Sequence, residues 1–193
     1  MKIAYALCGS FCTHQKSLAQ LETLAAKHDV FPVVSEIAAT TDTRFGNARN
    51  LLKKLVELTG KPPILTIKEA EETISRGKFD AVVVCPCTGN TLAKISCGIT
   101  DTVVTMTVKA QLRNRKPVVL AVATNDGLSA NLFNFASALE KKHLYLVPFG
   151  QDDAAGKPTS LVCDFDRLEE TILQAIAGKQ IQPILTETKN AGR

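Results

Sequence analysis

Five short stretches of this chain are apolar at nearly every position, not at every second one: residues 2–7, 30–35, 81–85, 118–123 and 144–147. A strand with one wet face alternates apolar and polar side chains. A strand apolar throughout needs cover on both faces, and helices above and below a parallel sheet supply it. Helical patterns lie between the runs. One covers 13–28, with Leu18, Leu21 and Leu24 recurring at helical spacing. Another covers 47–59, with Leu51, Leu52, Leu55 and Leu58 on one side, and is broken by Gly60-Lys61-Pro62-Pro63. Further helices are expected over 68–77, 90–96, 104–113, 129–142 and 168–178, with short strands at Ile64-Leu65 and over 161–164; residues 36–44 read as a loop. Strand and helix taking turns in this way predicts an α/β domain: a doubly wound, mostly parallel sheet in three layers, joined by right-handed crossovers.

A chain of 193 residues suits one domain with a sizeable core. That domain is expected to span 1–183, with 184–193 as a loosely attached tail and the loosening beginning near Gln180. The net charge is a mild +4, aromatics are 5%, and Trp is absent. A nucleic-acid partner calls for a dense basic stripe with stacking aromatics, which this composition does not offer. No run approaches the roughly 20 apolar residues of a membrane helix, and the opening apolar run stops at Gly9, too soon for a secretory leader. The six cysteines, Cys8, Cys12, Cys85, Cys87, Cys97 and Cys163, therefore read as reduced thiols of a cytoplasmic protein. Cys85-x-Cys87 lacks a second pair at finger-like spacing, so no metal is expected. The segment 98–113 mixes Ile99, Val103, Val104, Met106 and Val108 with four threonines and carries little charge before Lys109. That pattern calls for burial, either against a second copy of the chain or under its own loops.

In an open parallel sheet, ligands bind beyond the carboxyl ends of the strands. Gly9-Ser10-Phe11 leaves the first strand and opens a helix. Glycine lets backbone approach an anion, and the helix start adds free N–H groups. A plain tight turn with a Ser or Thr cap would give the same letters. Pro86-Cys87-Thr88-Gly89-Asn90-Thr91 leaves the most apolar strand and carries more hydrogen-bonding side chains than a cap needs. Ser35 and Ala123-Thr124-Asn125 leave two more strands.

These motifs resemble those of the homo-oligomeric flavin-containing cysteine decarboxylase family, whose middle motif usually reads Pro-Ala-Ser-Ala-Asn-Thr. Thr41-Asp42-Thr43-Arg44-Phe45-Gly46, Gly98-Ile99-Thr100-Asp101-Thr102 and Pro148-Phe149-Gly150-Gln151-Asp152-Asp153 are similar, more narrowly, to the dipicolinate synthase B-subunit branch. The resemblance implies a flavodoxin-like fold binding FMN. It places the phosphate at Gly9, Ser10, Phe11 and Ser35, the ribityl chain and ring along Thr88, Gly89, Asn90 and Thr91, and a further contact at Asn125. It also implies a homo-trimer or a multiple of it. The implied partner is the nicotinamide-dependent A subunit of dipicolinate synthase, and the implied product is pyridine-2,6-dicarboxylate, made during sporulation.

The chain departs from the decarboxylases in one respect. Their histidine after the second strand is missing, since residues 36–46 hold none; His14, His28 and His143 lie on or beside helices, and of these only His14 adjoins the first motif. The arginine that prenyl-flavin-making relatives carry near Ala123 is absent too. The leading expectation is thus a flavoprotein subunit of an oxidoreductase acting on a dihydropyridine dicarboxylate. A non-catalytic anion-binding scaffold and a decarboxylase with relocated chemistry remain alternatives. A dicarboxylate needs fixed cations, and Arg44, Lys109 and Arg113 are candidates, though Lys109 and Arg113 would also suit a solvated helix face. Asp42 and Asp101 could move a proton or cap a helix. No catalytic residue is assigned.

Overall fold

The computed structural model describes residues 1–187. The chain runs β1 (Lys2–Leu7), a 3-10 turn (Phe11–Thr13), α1 (His14–Ala25), β2 (Asp29–Val34), α2 (Glu36–Thr40), α3 (Ala48–Thr59), α4 (Ile67–Arg76), β3 (Ala81–Cys87), α5 (Gly89–Ser96) and α6 (Val103–Arg113). It continues through β4 (Val118–Thr124), α7 (Leu132–Glu140), β5 (Leu144–Leu146), β6 (Phe149–Gly150), β7 (Leu161–Cys163), a second 3-10 turn and α8 (Leu168–Ile176). The sheet order is β2-β1-β3-β4-β7-β6, with β5 also on β4. β1, β2, β3, β4 and β5 pair in parallel; β7 runs antiparallel to the end of β4, and β6 to β7. This is the expected doubly wound, flavodoxin-like α/β sheet.

Both faces of the sheet are covered, as the apolar runs required. Ile3, Ala4, Tyr5, Ala6 and Leu7 are fully buried, as are Ala81, Val82, Val83 and Val84. The polar atoms trapped among them are satisfied. The Tyr5 hydroxyl donates to the Ser17 carbonyl at 2.9 Å, and the Ser17 hydroxyl donates to the Cys85 carbonyl at 2.6 Å, tying α1 to two strands. Helix ends follow local chemistry. Thr66 with Glu69 and Thr102 with Thr105 form capping boxes on α4 and α6. α3 starts on Asn47 and stops at Gly60, whose φ of 67° suits glycine.

Several expectations need correction. Residues 36–44 are not wholly loop: α2 forms at once after β2, capped by Ser35. Ile64 makes one parallel bridge to Val33, not a strand. α7 starts at Leu132 and not near 129, because the Ser129 and Asn131 amides turn back to the Asp126 carbonyl. The stretch expected to loosen from Gln180 and to hang free from 184 is held as far as it is described. The Gln180 side chain bonds Leu146 in both directions, Ile181 is buried, and Ile184 and Thr186 exchange hydrogen bonds with Phe149. Residues 188–193 lie outside the described residues. The low-charge face of α6 is buried within its own chain: Val104, Thr105 and Thr107 are buried, and Gln111 donates to the carbonyls of Phe79 and Pro117. Its composition therefore carries no argument for an interface.

Candidate functional site

β1 lies between β2 and β3, so the chain leaves β1 to one side and later returns to the other. The crevice at such a switch point is where open α/β sheets bind ligands. The register aligns Leu7 with Val34, and Ala6 with Val84, so the loops after all three strands open on the same edge. A cavity of about 450 Å³ lies there. Cys8 and Gly9 reach it from β1, Ser35 from β2, and Thr88, Asn90 and Thr91 from β3 and the start of α5. Ile37, Leu65 and Ile67 form a partly exposed apolar rim, while Lys94, Asp101 and Thr102 close another side.

The polar groups of this cavity form two sets. In the first, the Thr88 hydroxyl accepts from the Thr91 amide at 3.2 Å and donates to the Thr91 hydroxyl at 3.0 Å, which donates to Cys8 Sγ at 3.4 Å. Burial pushes the Cys8 thiol up to about 11, so it stays protonated and unreactive near neutrality. In the second, Lys94 Nζ bonds both Asp101 carboxylate oxygens at 2.8 Å, and that hydrogen bonding lowers the Asp101 pKa. The Ser35 hydroxyl accepts only a long 3.4 Å bond from the Ala38 amide, and Ser10, which opens the 3-10 turn, makes no capping bond with its side chain.

Two glycines here have a steric reason. A Cβ at Gly9 would come 2.9 Å from Ile37 Cγ2, so glycine keeps the mouth between β1 and α2 open. A Cβ at Gly89 would come 2.5 Å from Thr124 Oγ1 and from Asn131 Nδ2. Gly89 thus lets α5 start against the turn after β4, where Asp126 binds both of those side chains.

Of the residues singled out from sequence, Gly9, Ser35, Thr88, Asn90 and Thr91 meet at one cavity, and Gly89 packs directly behind it. Ser10 is half-buried beside Gly9 but is not part of the wall. Phe11 lines a neighbouring cavity of about 350 Å³ on the far side of α2, with its ring 5.1 Å from that of His14. His14 is buried; its Nε2 donates to the Cys8 carbonyl at 2.7 Å, so it braces the end of β1. His28 and His143 are half-buried. Asn125 is exposed outside the cavity, its carbonyl accepting from Thr159. Lys109 and Arg113 sit exposed in the second half of α6, away from the wall that Thr102, Val103 and Val104 contribute. Arg44 is exposed and stacks over Phe45 beside the second cavity. Asp42 caps α3 by accepting from the Ala48 amide, whereas Asp101 serves Lys94.

Sequence reading missed Cys8, Lys94 and the apolar rim. Cys8 directly precedes Gly9, and Lys94 follows Thr91 by three positions on α5, so helical spacing from the motif points at it. Among the described residues no group of three or more His, Cys, Asp or Glu side chains is placed to hold a metal ion.

The Flavoprotein family model matches residues 1–170. The chain belongs to the Flavoprotein family. The B subunit of dipicolinate synthase from Bacillus subtilis (strain 168) is 40% identical to this flavoprotein over 187 residues, 96% of this chain and 94% of that one. The crystal structure of the corresponding B subunit from Bacillus halodurans superposes with a TM-score of 0.88 at 38% identity, covering 97% of this chain and 96% of that one. The FMN-dependent cysteine decarboxylase SpaF shares the fold at a TM-score of 0.67 and 20% identity, over 91% of this chain and 97% of that one.

Proposed function

We propose that this flavoprotein is the B subunit of a dipicolinate synthase, that it holds FMN in the cavity beyond β1, β2 and β3, and that it contributes to oxidising a dihydropyridine dicarboxylate to the aromatic pyridine. The observation that carries the reading is the convergence of Gly9, Ser35, Thr88, Asn90 and Thr91 on one cavity at the sheet's switch point. The walls fit FMN. The volume is within the usual range for cofactor sites. Gly9 keeps backbone close at the mouth, Ser35 has hydroxyl capacity to spare for a phosphate, and Ile37, Leu65 and Ile67 offer apolar cover for a flat ring.

Aromatisation removes a hydride and a proton from the substrate. Bound FMN would supply a two-electron acceptor, as would nicotinamide in a partner protein. The residues of this chain bind and orient. Lys94, fixed by Asp101, is the cation in the cavity wall and takes the place that Lys109 and Arg113 were expected to fill for a substrate carboxylate. A homo-oligomer, a trimer or a multiple of one, working with the nicotinamide-dependent A subunit in the cytoplasm during sporulation, belongs to the same reading.

A second reading, a scaffold that binds the flavin or an anion without chemistry, draws on one observation. The ionisable groups of the cavity wall nearest the motif are committed: Lys94 to Asp101, and Cys8 as a protonated acceptor. Product formation by the nicotinamide-dependent partner, alone and with this chain, separates the two. The oxidoreductase reading expects rapid formation only with both proteins and FMN present. A rate unaffected by omitting FMN would leave the scaffold.

A further inference from the structure

The hydrogen-bonded chain on the floor of the cavity has a direction, and one buried atom sets it. Thr91 is 9% exposed and Cys8 is 1% exposed. The Thr91 hydroxyl donates to Cys8 Sγ and accepts from Thr88, and the Thr88 hydroxyl in turn accepts from the Thr91 amide. A hydroxyl has one hydrogen and two lone pairs. Both hydrogens are therefore spent inside the protein, and each threonine oxygen keeps one lone pair for whatever lies in the cavity. The sulfur is suited to terminate the chain. It also accepts from the Thr88 backbone, and burial keeps it protonated.

We infer that Cys8 is a positioning residue: by accepting the Thr91 hydrogen it makes the Thr88 and Thr91 hydroxyls present only lone pairs to the cavity, which selects at that point a ligand segment rich in O–H donors, a polyol chain. The inference rests on the flavin reading, because it assigns the ribityl hydroxyls of FMN to this wall. It adds that the recognition is one-way. The ligand donates to the two threonine hydroxyls, while Asn90, between them in sequence, and Lys94 bring side-chain donors to the same cavity.

Removing the acceptor should reverse or break the chain. In Cys8→Ala the Thr91 hydrogen loses its partner and is free to turn to Thr88, whose own hydrogen then faces the cavity as a donor. In Cys8→Ser a hydroxyl can accept the same bond. The test is fluorescence titration of FMN, and of lumiflavin, which has the ring but no polyol, into the parent and the variants, with apo-protein melting as a control for folding. Cys8→Ala is expected to weaken FMN about tenfold, the scale of one lost hydrogen bond, and to leave lumiflavin within about twofold. Cys8→Ser should keep FMN within about threefold. Thr91→Val, which also removes an acceptor facing the cavity, should cost at least as much as Cys8→Ala, and the double variant should be no worse than Thr91→Val, because Cys8 acts through Thr91. Equal losses for FMN and lumiflavin would overturn the inference, and so would additive losses in the double variant or Cys8→Ser falling as far as Cys8→Ala. A parent that binds neither flavin would sink the flavin reading itself, and the inference with it.

Discussion

Gly89 shows how a single missing Cβ places a motif. The residue is buried, and three polar atoms of Thr124, Asn131 and Asp126 crowd the space a side chain would need, the nearest at 2.5 Å. Overpacking of this kind costs typically 1–3 kcal/mol. Gly89→Ala is accordingly expected to lower the unfolding free energy by about 2 kcal/mol, read from urea denaturation midpoints; an unchanged midpoint would mean that the turn after β4 yields freely. His14 makes a second prediction at this scale. Burial holds its pKa below the ordinary 6.5, with the Cys8 carbonyl partly opposing. The folded protein thus favours the neutral ring, and protonation favours the unfolded chain. The contribution of His14 is complete above pH 6.5 and is lost as pH falls through 6.5 toward the lowered folded value. Denaturation midpoints of the parent should therefore drop more steeply below pH 6.5 than those of His14→Gln, which can still donate to the carbonyl. Parallel curves would refute this.

At the scale of elements, one carboxylate ties the loop after α2 to the start of α3. Asp42 accepts from the Ala48 amide at 2.9 Å and from the Asn47 side chain at 2.6 Å, so it satisfies a free amide of α3 from outside the helix. Asp42→Ala is expected to cost about 1 kcal/mol and to speed hydrogen exchange at the Ala48 amide; protection equal to the parent's would show that the cap is redundant. The central strands and most helices were legible because their signals are local: unbroken apolar runs, helical leucine spacing, and stops at Gly60 and Pro62. α2 was not, because its five residues, Glu36 to Thr40, are too few to show a period and Ser35 reads equally well as a ligand contact or as a cap. It is both cap and cavity wall. β6 was missed for a similar reason. Two residues carry no pattern, and their pairing with Cys163 and Val162 is decided by tertiary structure. Charge was the weakest guide to the site. Lys109 and Arg113 are candidates because a dicarboxylate needs cations, but α6 turns its apolar face inward and leaves them in water. Lys94, three positions after Thr91, is the cation that α5 carries to the cavity.

Across the whole molecule, the proposed flavin binding depends on one arrangement: three parallel strands ending in register, so that turns far apart in sequence, at Gly9, Ser35 and Thr88, wall the same space. Its most direct test is calorimetric titration of FMN into the flavin-free protein. Saturable binding of one FMN per chain is predicted, weakened when Gly9→Val pushes a side chain against Ile37 at the cavity mouth. Absence of saturable binding up to about 1 mM FMN, the weakest affinity worth calling a site, would contradict it.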